Sequence, residues 1–188
     1  MRTLILLLGV GWLLTGLEAH SQALPTDAQG RVAFREVVPA DSLAASLLYV
    51  RAKSWLHRRG YALTVADSAG GRLVATNAFG VYDHGYATKK LHGKVQYQLT
   101  VEVKKGRYRQ QFTDFLFAYY AEDRTYHVVP TGKTKPLEDL TASGWLKLWQ
   151  SHREATRQTV EDLAAELKTA MLAVPKPLAQ QPRLTADW

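Results

Sequence analysis

Between residues 94 and 103 the chain alternates without a fault. Val95, Tyr97, Leu99, Val101 and Val103 share one parity; Lys94, Gln96, Gln98, Thr100 and Glu102 share the other. A period of two predicts a strand with one face packed and one face wet. Weaker alternation predicts further strands over Gly30 to Val38, from Tyr61 to Val65, from Arg72 to about Tyr82, and from Arg107 to about Tyr120. Thr125 to Val129 reads as a short last strand closed by Pro130, and Thr131 to Ser143 as a loop. Pro39 stops the first strand and marks it as lying near an edge. Asp67 to Gly71 and Lys104-Lys105-Gly106-Arg107 read as turns. In the strand after Arg107 the parity slips: Tyr108 and Phe112 keep one phase, Phe115, Phe117 and Tyr119 the other, with Asp114 at the slip. A β-bulge is expected there, and with it some rings turned away from the core as an apolar surface.

Two stretches carry helical spacing instead. Ala44, Leu48, Ala52 and Trp55, with Leu47 alongside, predict a helix opened by Asp41 or Ser42, running to about Arg59 and ended by Gly60. Trp145, Leu148, Trp149, Val160, Leu163, Leu167, Met171 and Val174 predict a long second helix, whose polar middle, Ser151 to Gln158, is expected to be exposed or bent. The predicted order is β-α-β-β-β-β-β-α. It describes an α+β fold with an antiparallel sheet of five to six strands and two helices on one face.

The N-terminus adds a compartment. Arg2 precedes an apolar run from Leu4 to Leu17, and Ser21-Gln22-Ala23 supplies the small residues of a cleavage site. The run is about 14 residues, short for a membrane span. Residues 1–23 are therefore expected to be a signal peptide cleaved after Ala23, leaving no membrane span and an exported chain, periplasmic or secreted. Residues 24–174 are expected to form one α+β domain, and 175–188, rich in proline and ending on Trp188, a flexible tail. The absence of cysteine excludes a disulfide framework, a thiol nucleophile and a thiolate zinc site.

The segments Leu24-Pro25-Thr26-Asp27, Gly30-Arg31-Val32 and Val37-Val38 are followed by a helix carrying Leu48-Tyr49, Arg51-Ala52 and Trp55-Leu56, and by a meander with Tyr97. Over roughly Leu24 to Pro130 this resembles the bacterial domain-of-unknown-function family 4468, whose fold is TATA-binding-protein-like. The resemblance implies that fold and export. It carries over no catalytic residue and no ligand, and a fold name alone does not imply DNA binding.

The chemistry-bearing residues point the same way. No His-x-x-x-His or His-Glu-x-x-His pair occurs; His84, His92 and Asp83 share a loop where solvated histidines are the ordinary reading. There is no Gly-x-Ser-x-Gly elbow, and Glu122-Asp123 and Glu138-Asp139 read as turn or cap residues. Gly70-Gly71-Arg72 is a turn with no helix behind it, so a phosphate loop is not expected. No catalytic residue, metal or cofactor is assigned.

A net charge of +7 invites a polyanion. Yet Lys89, Lys90 and Lys94 stand about 30 Å along the sheet from Lys104, Lys105, Arg107 and Arg109. The polar face between them has no net charge and no aromatic ring, so no nucleic-acid partner is expected. The long loop from Gly80 to Gly93 is the candidate binding element, through Tyr82, His84, Tyr86, Lys89 and Lys90. The sequence thus predicts a non-catalytic binding or interaction module of the bacterial envelope, with a protein or polysaccharide partner. The alternatives are an envelope hydrolase with a dispersed active site, or a weak binder of anionic envelope polymers.

Overall fold

A computed structural model describes residues 23–82, 90–141 and 145–173. All but Ala23 of the predicted leader, and the whole of the predicted tail 175–188, lie outside the described residues. Strands β1 (Phe34–Pro39), β2 (Ala62–Asp67), β3 (Arg72–Tyr82), β4 (Leu91–Lys104), β5 (Arg107–Glu122) and β6 (Val128–Pro136) form one antiparallel sheet. Helix α1 (Ala45–Arg58) lies between β1 and β2 in the chain, and α2 (Leu146–Leu172) follows β6. The order and the fold class are those the sequence predicts. Across the sheet the strands run β1-β5-β4-β3-β2, and β6 joins the same side of β5 as β1, beyond the point where β1 ends.

The alternation in β4 sets the layers. Val95, Tyr97, Leu99, Val101 and Val103 are all buried beneath the helices, while their polar neighbours face solvent. Leu48, Ala52, Trp55 and Leu56 of α1 and Val160, Leu167 and Met171 of α2 close the core from above. The helices are also tied to each other. Arg51 Nη1 donates to the Met171 carbonyl at 2.5 Å, at the end of α2 where carbonyls lack helical partners, and Trp55 Nε1 and Arg59 both reach Glu166. α1 ends as its sequence predicts: Gly60 takes φ +69°, and the Tyr61 and Gly60 amides bond back to Leu56 and His57.

The bulge at Asp114 is present. Asp114 has φ +56°, and the β4–β5 register steps between Gln96 and Gln98. Its consequence differs in part from the expectation. The extra residue restores phase, so Phe112, Phe115 and Phe117 are all buried on the helix side and Tyr119 packs against the same core. The slip in parity therefore keeps Phe112, Phe115, Phe117 and Tyr119 on one face while the backbone bends, and of the aromatic run Tyr120 turns to the other face.

Other boundaries shift for local reasons. Neither Asp41 nor Ser42 caps α1. Residues 40–43 form a turn, with Ser42 at φ +71° and the Leu43 amide bonded to the Ala40 carbonyl, so the helix starts after Ala44 without a side-chain cap. Leu47 is exposed, and Tyr49 and Leu56 complete the buried face in its place. Thr125 and Tyr126 belong to a turn in which Asp123 Oδ1 accepts from the Thr125 and His127 amides. β6 then runs through Pro130 to Pro136, because an edge strand tolerates a residue that cannot donate. The polar middle of α2 is not exposed throughout: His152 and Thr156 are buried in it, whereas Trp145 stands 75% exposed at the helix start. Among the described residues, no helix is long and apolar enough to cross a membrane.

Candidate functional site

The helices cover one face of the sheet, which leaves the other to solvent. Register places Thr76, Ala78 and Gly80 of β3 opposite Gln98, Gln96 and Lys94 of β4. Gln96 and Lys94 lie in turn opposite Leu116 and Ala118 of β5. Midway along this open face stand Gln98, Thr76 and Asp114; at one end stand Lys94, Tyr82 and Tyr120. A shallow depression of about 600 Å³ lies over Thr76, Ala78, Gln96, Gln98, Asp114 and Leu116.

Gly80 determines how Tyr82 sits. A Cβ on Gly80 would come within 2.9 Å of Tyr82 Cε2, 3.0 Å of its hydroxyl and 3.0 Å of Leu91 Cδ1. The tyrosine ring therefore folds back over the glycine, two residues away on the same face, and fills the space a side chain would take. It stays 49% exposed, with its outer side toward water. Across β4, the Lys94 ammonium lies 5.3 Å from the centre of the Tyr120 ring, a distance at which the ring quadrupole attracts a cation. The sheet thus ends in two tyrosines flanking one lysine.

Of the residues singled out from sequence, Tyr82 belongs to this arrangement. Lys90 stands nearby but its ammonium is engaged with Glu122 Oε1 at 3.0 Å. His84, Tyr86 and Lys89 lie outside the described residues. Tyr120 belongs to the aromatic run in which some rings were expected to turn away from the core, and it does so, facing away from Tyr119 beside Lys94. The polar face of β4 itself carries no aromatic ring, as read from sequence, and Tyr82 and Tyr120 join it from the flanking strands.

A second cluster lies on the helix side of the same sheet end. A bulge between Val81 and Tyr82 turns His92 toward α2, where its Nδ1 lies 3.3 Å from Nε2 of His152. His152 is 5% exposed and its ring lies parallel to that of Phe117, 4.9 Å away, with Trp149 edge-on to both. One imidazole donates and the other accepts in such a pair. This pairing was not legible in the sequence, since the partners are 60 residues apart and one sits in a helix segment read as polar. Among the described residues, no group of three or more His, Asp or Glu side chains is arranged to hold a metal ion.

The cationic residues are dispersed and largely engaged. Arg72 and Arg109 flank Glu102 on the open face, and Lys168 pairs with Glu36 at 2.8 Å. Glu36 also accepts from Gln110 Nε2, and the ammonium of Lys168, hydrogen-bonded to it, holds its carboxyl below the ordinary carboxylate range.

A six-stranded antiparallel sheet with two helices on one face is the TATA-binding-protein-like arrangement. Residues 34–118, from β1 through the middle of β5, match the family model of the domain of unknown function DUF4468 with TBP-like fold. The family resemblance read from sequence is borne out over that span. Two solved structures share the fold. One is a TBP-like protein from Parabacteroides distasonis ATCC 8503, 15% identical, with a TM-score of 0.62 over 80% of this chain and 97% of its own. The other is a DUF4468 family protein from Bacteroides ovatus ATCC 8483, 16% identical, with a TM-score of 0.61 over 85% of this chain and 95% of its own. No curated protein matches the chain.

Proposed function

We propose that the protein is an exported binding module of the bacterial cell envelope and that the open face of its sheet is the contact surface. The observation that carries this reading is the ring of Tyr82 laid over Gly80 beside Lys94 and Tyr120, at the exposed end of a rigid sheet. Side chains presented by paired strands are held in place more firmly than those of a loop, so little ordering entropy opposes binding. The groups on this face bind by hydrogen bonds and ring contacts, which suits a module that holds a partner and does not transform it. Export rests on the leader-like pattern of residues 1–23.

A thermal-shift panel of envelope components, run on wild type and on Tyr82→Ala with Lys94→Ala, tests the contact surface. A component that raises the melting temperature of wild type and leaves the double variant unmoved supports the reading, because a ligand stabilises the state it binds. A shift of equal size in both proteins refutes it. For export, intact-mass analysis of the protein recovered from a bacterial host is expected to give a chain beginning at Leu24 outside the cytoplasm; an unprocessed cytoplasmic chain would contradict it.

A further inference from the structure

We infer that the ligand of the open face is an oligosaccharide, with one pyranose unit stacked on Tyr82 and the next hydrogen-bonded along β4. The inference rests on the proposed role of that face and adds the class of molecule it takes.

A pyranose ring has two kinds of surface: patches of C–H groups, and a rim of hydroxyls that both donate and accept. Water satisfies the rim well, so a protein must replace those hydrogen bonds with groups of both kinds while offering an apolar plate to the C–H patch. Tyr82 supplies the plate. Its ring rests on Gly80, where no side chain can lift it away from the sheet, and its outer side is open. Next to it along β4 come Gln96 and Gln98, whose amides each donate and accept, with Thr76 across from Gln98. Asp114 adds acceptors only.

The spacing agrees. Gln98 and Lys94 are four residues apart, about 14 Å at 3.4 Å per residue. Ala78 and Leu116 flank Gln96 between the two ends, and the flanking residues opposite Lys94 are small, Gly80 on β3 and Ala118 on β5. The result is a trough with a low floor, walled by tyrosines at one end and lined by amides toward the other.

Charge argues for a neutral chain. Glu102 engages Arg72 and Arg109, Glu122 engages Lys90, and the ammonium of Lys94 is held at the Tyr120 ring. Lys104 and Arg107, which carry no ion pair, stand at the far end of β4 from the tyrosines, so among the described residues a polyanion would find few free cations beside Tyr82, whereas amides and rings are indifferent to salt.

The test uses the protein expressed with its whole N-terminal segment and purified as the host processes it. Neutral oligosaccharides of three to six units, including β-1,4-linked glucose and N-acetylglucosamine and α-1,6-linked mannose, are titrated by calorimetry at low and high salt. At least one is expected to bind with affinity that salt leaves unchanged. Tyr82→Ala and Gln96→Ala are each expected to weaken it about tenfold or more, the effect of one lost contact worth about 1.4 kcal/mol. Gly80→Ala, which removes no group and only displaces the ring, should weaken it as well, with unchanged circular dichroism. Silence from every neutral oligosaccharide, while an anionic polymer or a peptide binds in a Tyr82-dependent way, overturns the sugar assignment and leaves the open face as contact surface. Oligosaccharide binding that none of the three substitutions alters overturns both.

Discussion

Adding one methyl group at Gly93 probes whether the two faces of the sheet end are packed as described. An ideal Cβ there would lie 2.4 Å from Cζ and 2.5 Å from Cε1 of Phe117, and 2.6 Å from the Ala118 carbonyl oxygen. All three are well inside van der Waals contact, and the ring has nowhere to go. Phe117 is fully buried, parallel to His152 at 4.9 Å, edge-on to Trp149 at 5.6 Å and to Tyr119 at 4.9 Å. Overpacking of this kind costs about 1–3 kcal/mol. The loss of glycine's freedom in the unfolded chain returns about 0.4–1 kcal/mol. Gly93→Ala is therefore expected to destabilise by about 1.3 kcal/mol. In a urea titration the midpoint should fall with the slope unchanged, since the surface exposed on unfolding is the same. The thermal midpoint should drop by about 3–5 °C for a chain of this size. Phe117→Leu removes the clashing ring atoms, so the double variant should be at least about 1 kcal/mol more stable than the two single effects predict, a coupling expected only for residues in contact. A Gly93→Ala protein within about 0.5 kcal/mol of wild type, or a strictly additive cycle, would refute the packing argument.

Three further predictions concern polar side chains held in the packed structure. The Tyr108 hydroxyl is buried with no hydrogen-bond partner, so Tyr108→Phe should leave stability unchanged or raise it by about 1 kcal/mol by urea titration; a loss of more than about 1 kcal/mol would show that the hydroxyl is paired. The hydroxyls of Tyr61 and Tyr97 bond to each other at 2.6 Å in the core. Tyr61→Phe or Tyr97→Phe alone should therefore cost about 1–2 kcal/mol, and the double Phe variant should recover part of that, whereas additive losses would deny the pair. Glu36, whose carboxyl is held below its ordinary value by Lys168 and Gln110, contributes stability that is present above the unfolded value and lost as pH falls through the folded one. A plot of stability against pH should therefore decline on the acid side below about pH 4.5, and Glu36→Gln should flatten part of that decline. The effect is small, because the ion pair is half exposed.

The layering was legible in the sequence because it depends only on local periods. Five apolar positions at period two in β4 require one buried face, and apolar spacings of three and four require helices to cover it. Gly60, Gly71 and Gly106, all at positive φ, stand where turns were expected, since only glycine enters that region without cost. The bulge at Asp114 was visible as a change of parity. Whether that change exposes the aromatic run or preserves its burial depends on how β5 pairs with β4, and pairing is a long-range property. The same limit explains His152: a polar stretch of helix became partly core because His92 and Phe117, distant in the chain, meet it. It explains the edge position of β6 as well, which lets Pro130 sit inside a strand. The open face is the clearest case. Its polarity could be read from alternate residues of β4, but the depression needs Ala78 of β3 and Leu116 of β5 beside them and a ring folded over Gly80. Those come together only when three strands pair in one register, because a strand's sequence specifies which way its side chains point and its neighbours decide what they point beside.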